Sequence, residues 1–228
     1  PDLIDYYMPE NGVFHNLILA KIKTLYPGHA SQMMHAFWGV GQMSFVKHAV
    51  FVNEDAPLLT DHQGIMKHIL NRLNIDDMLV TKGVVDALDH SSPKFAVGGK
   101  LGLDCTGDEI TELGIILLKD NELLERMKAI TSEVKDLKQY FTDTKNPIAV
   151  ISVEKTRSQK YLFEDLKPLF EHIKILIIVE NNKNDVNNSY MLVWRVANNI
   201  DSNRDLFIDG HTMCLDATNK NAFDNFNR

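Results

Sequence analysis

The sequence predicts an α/β protein in which mostly parallel sheets are covered by helices, with a helical insertion between two strand–helix units. Two observations predict this class. Short apolar runs alternate with segments whose apolar residues recur every three or four positions, which is the order expected for a parallel sheet with crossover helices. The runs are also continuous rather than interrupted by polar residues, a pattern typical of strands with both faces covered.

The first half of the chain begins with a predicted linker. Residues 1–12 contain two prolines and an Asn-Gly pair, which favour turns, so the folded part is expected to begin near Val13 and the linker to follow an upstream domain. The domain predicted at 13–109 has strands at 13–22, 49–52 and 78–85, and helices at 30–40 and from His62 onward.

Residues 110–145 predict a helical connection, because charges are dense and no strand pattern is evident. Apolar residues recur there at spacings of 4, 3, 4, 3 and 4 positions: Leu123, Met127, Ile130, Val134, Leu137 and Phe141. This stripe predicts two helices packed on their own domain, with a break near Ser132, which could cap the second helix. A coiled-coil or dimer helix is the alternative, since the same spacing forms a heptad seam.

Residues 146–228 predict a second α/β subdomain, which brings the expected number of strands to six. Asn74-Ile75-Asp76 recurs 125 positions later (199 − 74) as Asn199-Ile200-Asp201, each time after an apolar strand and a helix. This recurrence suggests a weak internal duplication, although any two strand–helix units share some of this pattern. The predicted elements are strands at 148–153, 175–179 and 206–208, and helices at 161–172 and 189–198.

The composition disfavours several classes of partner and location. With 24 Lys and Arg against 31 Asp and Glu, the formal charge is −7, which repels nucleic acids and anionic lipid headgroups. The two cysteines have no CxxC spacing and are too few for a disulfide framework, which favours the cytoplasm. No apolar stretch is long enough to span a membrane. Because Pro1 cannot be a translation start, we expect the chain to be a piece of a longer protein.

Residue chemistry alone predicts no complete catalytic set. Acids follow three predicted strands, at Glu54 and Asp55, Glu154 and Glu180, where a parallel sheet binds ligands, but such acids more often begin solvated turns. The glycines of 98–106 could let backbone amides and Lys100 approach an anion, yet the segment is not a GxxxxGK[ST] loop. The nine histidines offer no i, i+4 pair, so no metal site is predicted.

Three groups of residues, taken together, resemble the carboxyl-terminal part of the UbiD family of prenylated-flavin-dependent decarboxylases. They cover about the first 106 residues, and the later Leu215-Asp216-Ala217-Thr218-Asn219-Lys220 is more similar to the longer members assigned to menaquinone biosynthesis. The three groups are Glu10-Asn11-Gly12-Val13-Phe14-His15-Asn16; Tyr26-Pro27-Gly28-His29-Ala30 with Met34-His35-Ala36-Phe37-Trp38-Gly39-Val40-Gly41-Gln42-Met43; and Leu88-Asp89-His90-Ser91-Ser92-Pro93 leading to Gly99-Lys100-Leu101-Gly102-Leu103-Asp104.

The resemblance implies a carboxy-lyase that removes carbon dioxide from a small aromatic acid, here a quinone precursor of the menaquinone or ubiquinone pathway. It implies prenylated FMN with a divalent metal, manganese, bound mainly by an upstream domain, and so neither a cofactor nor a catalytic residue in this fragment. The fragment is expected to mediate homodimer formation and to close one wall of the active site. A stand-alone ligand-binding or assembly module without catalysis is the alternative.

The resemblance also implies which residues lie near the substrate or cofactor. Lys47 matches a family lysine placed near the flavin, where a fixed cation could hold an anion, although a solvated lysine before a strand is an equal alternative. The loop from Asp89 through His90 to Pro93 matches the substrate-side wall, and Lys100 follows it. The family pattern usually has Ser and Ala where this chain has Gly99 and Cys105.

Overall fold

Two five-stranded mixed sheets flanked by helices organise this computed structural model, which describes residues 2–13, 15–182 and 184–226. Phe14, in the first family-like string, and Pro1 lie outside the described residues. The chain divides into a first unit, Pro1–Thr111 with Asp201–Arg204, and a second unit, Glu112–Ile200 with Asp205–Arg228. The predicted α/β class is therefore confirmed.

The sheet of the first unit has three parallel central strands and two antiparallel edge strands, in the order β1-β2-β3-β5-β4. The strands are β1 (Leu3–Tyr7), β2 (Leu17–Ile22), β3 (His48–Val52), β4 (Leu79–Val84) and β5 (Val97–Cys105). The helices are α1 (His29–Gly39) and α2 (His62–Leu70), with 3-10 turns at Glu10–Gly12, Gly41–Phe45 and Ile75–Asp77.

Apolar periodicity places the core of the first unit. Every residue of β3 is buried, as its continuous apolar sequence predicts. Ala30 and Met34, four positions apart on α1, share one helix face and pack in one cluster with Phe51 of β3. The helix α2 begins where Asp61 accepts a hydrogen bond from Gly64 N at 3.0 Å, an N-cap contact that satisfies one of the free amides of the first turn.

The second unit repeats this topology with the order β6-β7-β8-β10-β9, again with three parallel strands between antiparallel edges. Its strands are β6 (Val134–Tyr140), β7 (Ile148–Val153), β8 (Ile175–Glu180), β9 (Leu206–Asp209) and β10 (Thr212–Asp216). Its helices are α3 (Asp120–Ile130), α4 (Gln159–Asp165) and α5 (Ser189–Asn199), with 3-10 turns at Lys167–His172 and Ala222–Asp224. A one-turn helix, α6 (Ser202–Asp205), follows α5.

The two sheets also share a local motif at the end of the third parallel strand. Asp104 Oδ1 accepts hydrogen bonds from the amide and hydroxyl of Thr106, at 3.0 and 2.7 Å. Asp216 Oδ1 accepts the same two bonds from Thr218, at 3.0 and 2.6 Å. Equal strand order and an equal side-chain motif support the duplication that the sequence suggests.

Three sequence expectations are wrong. Residues 3–7 are not a linker but the edge strand β1, which pairs with β2. The sequence assigned no element to the glycine-rich residues 98–106, and most of them form β5. The helical connection at 110–145 is correct only for α3, because 134–140 forms β6, and the described residues contain ten strands rather than six.

The structure also excludes the coiled-coil interpretation of the apolar stripe. Leu123 and Met127 of α3 and Val134 and Leu137 of β6 are buried together in the core of their own unit. These four side chains therefore have no exposed face to offer a partner helix. Within the described residues we find no helix with both the length and the apolar character needed to cross a membrane.

Candidate functional site

Lys47, the residue before β3, is the centre of a buried polar cluster. Its side chain is 1% exposed, and its Nζ donates hydrogen bonds to Asp89 Oδ1 at 2.8 Å and to Ser91 Oγ at 2.7 Å. The backbone fixes its position from two sides: Lys47 N donates to His15 O at 3.2 Å, and Lys47 O accepts from Leu101 N at 2.8 Å. The alternative of a solvated lysine is therefore wrong.

The loop between β4 and β5 is folded around the Asp89 carboxylate. The amides of Ser91 and Ser92 donate to its two oxygens at 3.4 and 2.9 Å, which closes a tight polar turn. Arg204 Nη2 donates to Ser91 O at 3.0 Å. These contacts hold the loop in one conformation, so its outward surface is preorganised.

The same loop inverts the usual distribution of polar and apolar residues. Asp89, Ser91 and Ser92 are buried, whereas Leu88 is 88% exposed and Phe95 is 71% exposed. Large apolar side chains at such exposure, carried by a fixed loop, are typical of a contact surface for a ligand or a partner.

The charge state of the cluster follows from its contacts. Burial alone would raise the pKa of the Asp89 carboxyl, but the charge and hydrogen bond of Lys47, together with hydrogen bonds from Ser92 and Ser91, outweigh burial, so that this pKa is lowered. Asp89 is therefore ionised at neutral pH and forms a buried ion pair with Lys47, whose remaining polar contacts offset part of the cost of desolvation.

Lys100, on β5, is the second buried lysine of the site. Its Nζ donates to the backbone carbonyls of Ser44 and Val46, at 2.6 Å each. Burial, followed by the nearby charge of Lys47, lowers the pKa of Lys100 to about 7, and the charge of Asp89 offsets only part of this. Lys100 thus loses its proton far more readily than an exposed lysine.

The structure brings three of the five sequence-predicted site residues together. Lys47, Asp89 and Lys100 are buried close to one another, whereas His90 and Pro93 of the same loop are exposed. The short segment 201–204 adds two contributors that the sequence did not predict: Asp201 Oδ2 accepts from Gly99 N at 2.8 Å, and Arg204 donates to Ser91 O of the loop. The recurring Asn-Ile-Asp sequence draws attention to Asp201, but it does not indicate where this residue lies in the fold.

The strand-end acids do not form a site. Glu54 and Asp55 are exposed in the first unit, and Glu154 is exposed in the second, where it pairs with Lys135. Glu180 accepts from Asn219 Nδ2 at 2.7 Å. The described part of the chain brings together no group of three or more His, Cys, Asp or Glu that could hold a metal ion.

A family model described as the 3-octaprenyl-4-hydroxybenzoate carboxy-lyase C-terminal domain matches residues 1–105 and 115–224, which is most of the chain. The chain belongs to the UbiD C-terminal domain family. The two matched segments of this UbiD domain protein correspond closely to the halves that carry the two sheets. The family expectation from the sequence is thus confirmed at the level of the C-terminal domain.

The relatives of this UbiD chain are longer than the chain itself. An uncharacterized protein of Helicobacter pylori strain J99 is 55% identical over 225 residues, which are 98% of this chain and 36% of that protein. An uncharacterized protein of Archaeoglobus fulgidus is 32% identical over 145 residues, 60% of this chain and 30% of that protein. The chain therefore spans about a third of the length of the curated relatives that it matches.

Parts of two solved structures are similar to part of this UbiD chain. The UbiD-class enzyme HmfF from Pelotomaculum thermopropionicum, in complex with FMN, has 21% identity and a TM-score of 0.43 over 49% of this chain and 24% of that chain. Vanillic acid decarboxylase from Sedimentibacter hydroxybenzoicus has 15% identity and a TM-score of 0.42 over 57% of this chain and 29% of that chain.

Proposed function

We propose that this chain is the C-terminal part of a carboxy-lyase that decarboxylates an aromatic quinone precursor in the menaquinone or ubiquinone pathway, and that it most resembles the longer menaquinone-pathway members. The observation that carries the proposal is the family-model match over residues 1–105 and 115–224, whose description is that of a carboxy-lyase domain. The cysteine pattern favours a cytoplasmic enzyme.

In this proposal the loop from Leu88 to Phe95 forms the substrate-side wall. Its exposed apolar side chains suit an aromatic ring, and its fixed backbone lowers the entropic cost of binding. Lys47 acts through the loop, since its Nζ is bound to Asp89 and Ser91 and its charge is balanced by the Asp89 carboxylate. His90 and Pro93 lie on the exposed side of this wall.

The proposal assigns prenylated FMN and manganese to the part of the protein that lies outside this chain. The described residues supply a loop with exposed apolar side chains that suits one face of a flavin, and they bring together no group of three or more His, Cys, Asp or Glu that could hold the metal. When bound, the flavin supplies the reactive group for decarboxylation, while the protein supplies orientation and charge. The chain alone is therefore expected to be inactive.

The test uses the full-length protein loaded with prenylated FMN and manganese, assayed for carbon dioxide release from a panel of aromatic quinone precursors. We expect turnover of at least one acid, a large loss with Lys47→Met, and normal turnover with Lys82→Met, which removes an exposed lysine of β4 that lies outside this loop. The chain without its upstream part should show none. Turnover by the chain alone, or an inactive loaded enzyme that binds the acids without reaction, contradicts the proposal.

We also propose that the full-length protein is a homo-oligomer, with a homodimer as the simplest form. The stripe at 123–141 does not supply the interface, because its central residues are buried within one unit. Light scattering during size-exclusion chromatography over a range of concentrations tests the proposal. A monomer at every concentration contradicts it.

A further inference from the structure

The internal duplication allows each lysine of the site to be compared with its counterpart. In the first unit His48 of β3 pairs with Leu101 of β5. In the second unit Ile175 of β8 pairs with Met213 of β10. The residues immediately before these pairs therefore correspond: Lys47 with Lys174, and Lys100 with Thr212.

The backbone contacts around the two corresponding lysines are the same. Lys47 O accepts from Leu101 N at 2.8 Å, and Lys174 O accepts from Met213 N at 2.9 Å. The carbonyl that precedes each lysine is also bound from the same position on the neighbouring strand. Lys100 Nζ donates to Val46 O at 2.6 Å, and Thr212 Oγ1 donates to Ile173 O at 2.8 Å. The contact to this carbonyl is thus a shared feature of the fold, made by two different side chains.

The two units differ in what surrounds the lysine. In the second unit β9 and β10 are joined by the short turn Gly210-His211, so nothing corresponds to the loop that carries Asp89 and Ser91. In the first unit the long side chain at position 100 reaches a second carbonyl, that of Ser44, in the 3-10 turn before Lys47. The unit with the loop therefore has an extra backbone contact next to its lysine.

We infer that Lys100 is a positioning residue: by holding the carbonyls of Ser44 and Val46 it fixes the backbone from which Lys47 reaches Asp89 and Ser91. This inference rests on the proposed function only in giving Lys47 a role at the substrate-side wall. It reassigns Lys100 from a group that touches ligand to one that acts through Lys47.

The chemistry of Lys100 agrees with this role. A neutral amine has two N–H donors, and two carbonyls accept from this nitrogen. The charged groups that influence Lys100 are Lys47, which disfavours its protonation, and Asp89, which favours it. Because its pKa is lowered to about 7, Lys100 can lose its proton under mildly basic conditions and then donates to the two carbonyls as a neutral amine.

The test measures Lys47 directly and needs no turnover. The chain is treated briefly with acetic anhydride at pH 8, and acetylation of Lys47 is followed by mass spectrometry, together with amide hydrogen exchange over residues 44–48. The variants are Lys100→Met, which removes both donors, and Lys100→Thr, which copies the second unit. Thr212→Val is the matched control, because it removes the corresponding bond in the unit that lacks the loop.

For folded Lys100→Met we expect Lys47 acetylation and exchange at 44–48 to rise by roughly tenfold, because the two lost hydrogen bonds together correspond to about that factor at the lower end of the net range for such bonds. Lys100→Thr should give a smaller rise, and Thr212→Val none at these residues. Unchanged Lys47 acetylation in folded Lys100→Met overturns the inference. It is also overturned if neither Lys100 variant folds, because Lys100 is then a residue of the fold as a whole. A failed decarboxylation assay with a positive labelling result would reject only the proposed function.

Discussion

Lys47 and Asp89, 42 positions apart in the chain, form a buried ion pair with an Nζ–Oδ1 distance of 2.8 Å. The pair joins the start of a central strand to the loop between β4 and β5. Removing two charges from water is costly, and the pair is tolerated because Ser91 and Ser92 complete the hydrogen bonding around the carboxylate. The loop conformation thus depends on a lysine that is distant in sequence.

We predict that Lys47→Met destabilises the first unit by about 3–5 kcal/mol, because it leaves the Asp89 carboxylate buried without its cation. The free energy of unfolding is measured by urea titration, with the fluorescence of Trp38 as the probe of this unit in a Trp194→Phe background. Lys94→Met is the control and should change stability by no more than about 0.5 kcal/mol.

The double variant Lys47→Met with Asp89→Asn sharpens this prediction. Because it removes both charges of one pair, its cost should be smaller than the sum of the two single costs. Additive costs would mean that the two side chains do not interact in solution.

The lowered pKa of Lys100 predicts a stability that rises with pH. In the unfolded chain this amine keeps its ordinary pKa near 10.5, whereas in the folded chain the pKa is about 7. Between these two values the unfolded chain binds a proton that the folded chain lacks, so unfolding becomes less favourable as the pH increases. The penalty is complete at pH 7 and below, and it is absent above about pH 10.5.

The measurement compares the wild-type chain with Lys100→Met at several pH values from 7 to 10. As the pH rises across this range, the free energy of unfolding of the wild type should increase relative to that of the variant, since methionine has no proton to release. Parallel pH profiles for the two chains would show that Lys100 titrates normally.

Gly99 is predicted to be intolerant of any side chain. A Cβ at this position would lie 2.6 Å from Ser202 Oγ and 2.7 Å from both Asp201 Oδ1 and Ser202 N. We expect Gly99→Ser, which restores the usual family residue, to destabilise the first unit by about 1–3 kcal/mol through overpacking. Gly107→Ala is the matched control, because a Cβ there meets nothing within 4 Å. If Gly99→Ser leaves the stability of the first unit unchanged, segment 201–204 moves away readily.

This contact favours glycine at position 99, where the family resemblance implies serine. From the family resemblance alone, the change from Ser to Gly is a small difference. The structure shows that the space for the serine side chain is taken by Asp201 and Ser202, which are 102 and 103 positions further along (201 − 99 and 202 − 99). A contact at such sequence separation has no local pattern and could not be predicted from one sequence.

The sequence predicts best those helices and strands in which buried apolar residues recur at one regular spacing. Helices α1 and α2 and strands β3, β7 and β8 occur within one or two residues of their expected positions. The apolar spacing of strand β6 indicates a helix, because the register of the strand shifts between Val134 and Asp136. This bulge brings Val134 and Leu137, three positions apart, to the same core, and so imitates the spacing of a helix.

Strand β5 was missed for a different reason. Its glycines at 98, 99 and 102 are typical of a loop, but each marks a close approach, as at Gly102, where a Cβ would collide with Met34 Sδ. For the site, family resemblance located Lys47 and the loop from Asp89, while their contacts depended on the pairing of distant segments. The burial of Lys100 could not be read from the sequence, since lysine is seldom buried.

The two thiols offer a final prediction about access to each core. Cys105 in the first unit and Cys214 in the second are buried, and burial raises the pKa of both thiols well above its usual value. Since the thiolate is the reactive form, we expect neither cysteine of the folded chain to react with iodoacetamide at pH 8, and both to react rapidly in urea.

Lys47→Met should accelerate alkylation of Cys105 under native conditions, because a less stable first unit opens more often. Mass spectrometry of the tryptic peptides distinguishes the two sites. Rapid alkylation of Cys105 in the wild-type chain would contradict its placement inside the sheet, and an unchanged rate in folded Lys47→Met would show that the ion pair contributes little to closing this unit.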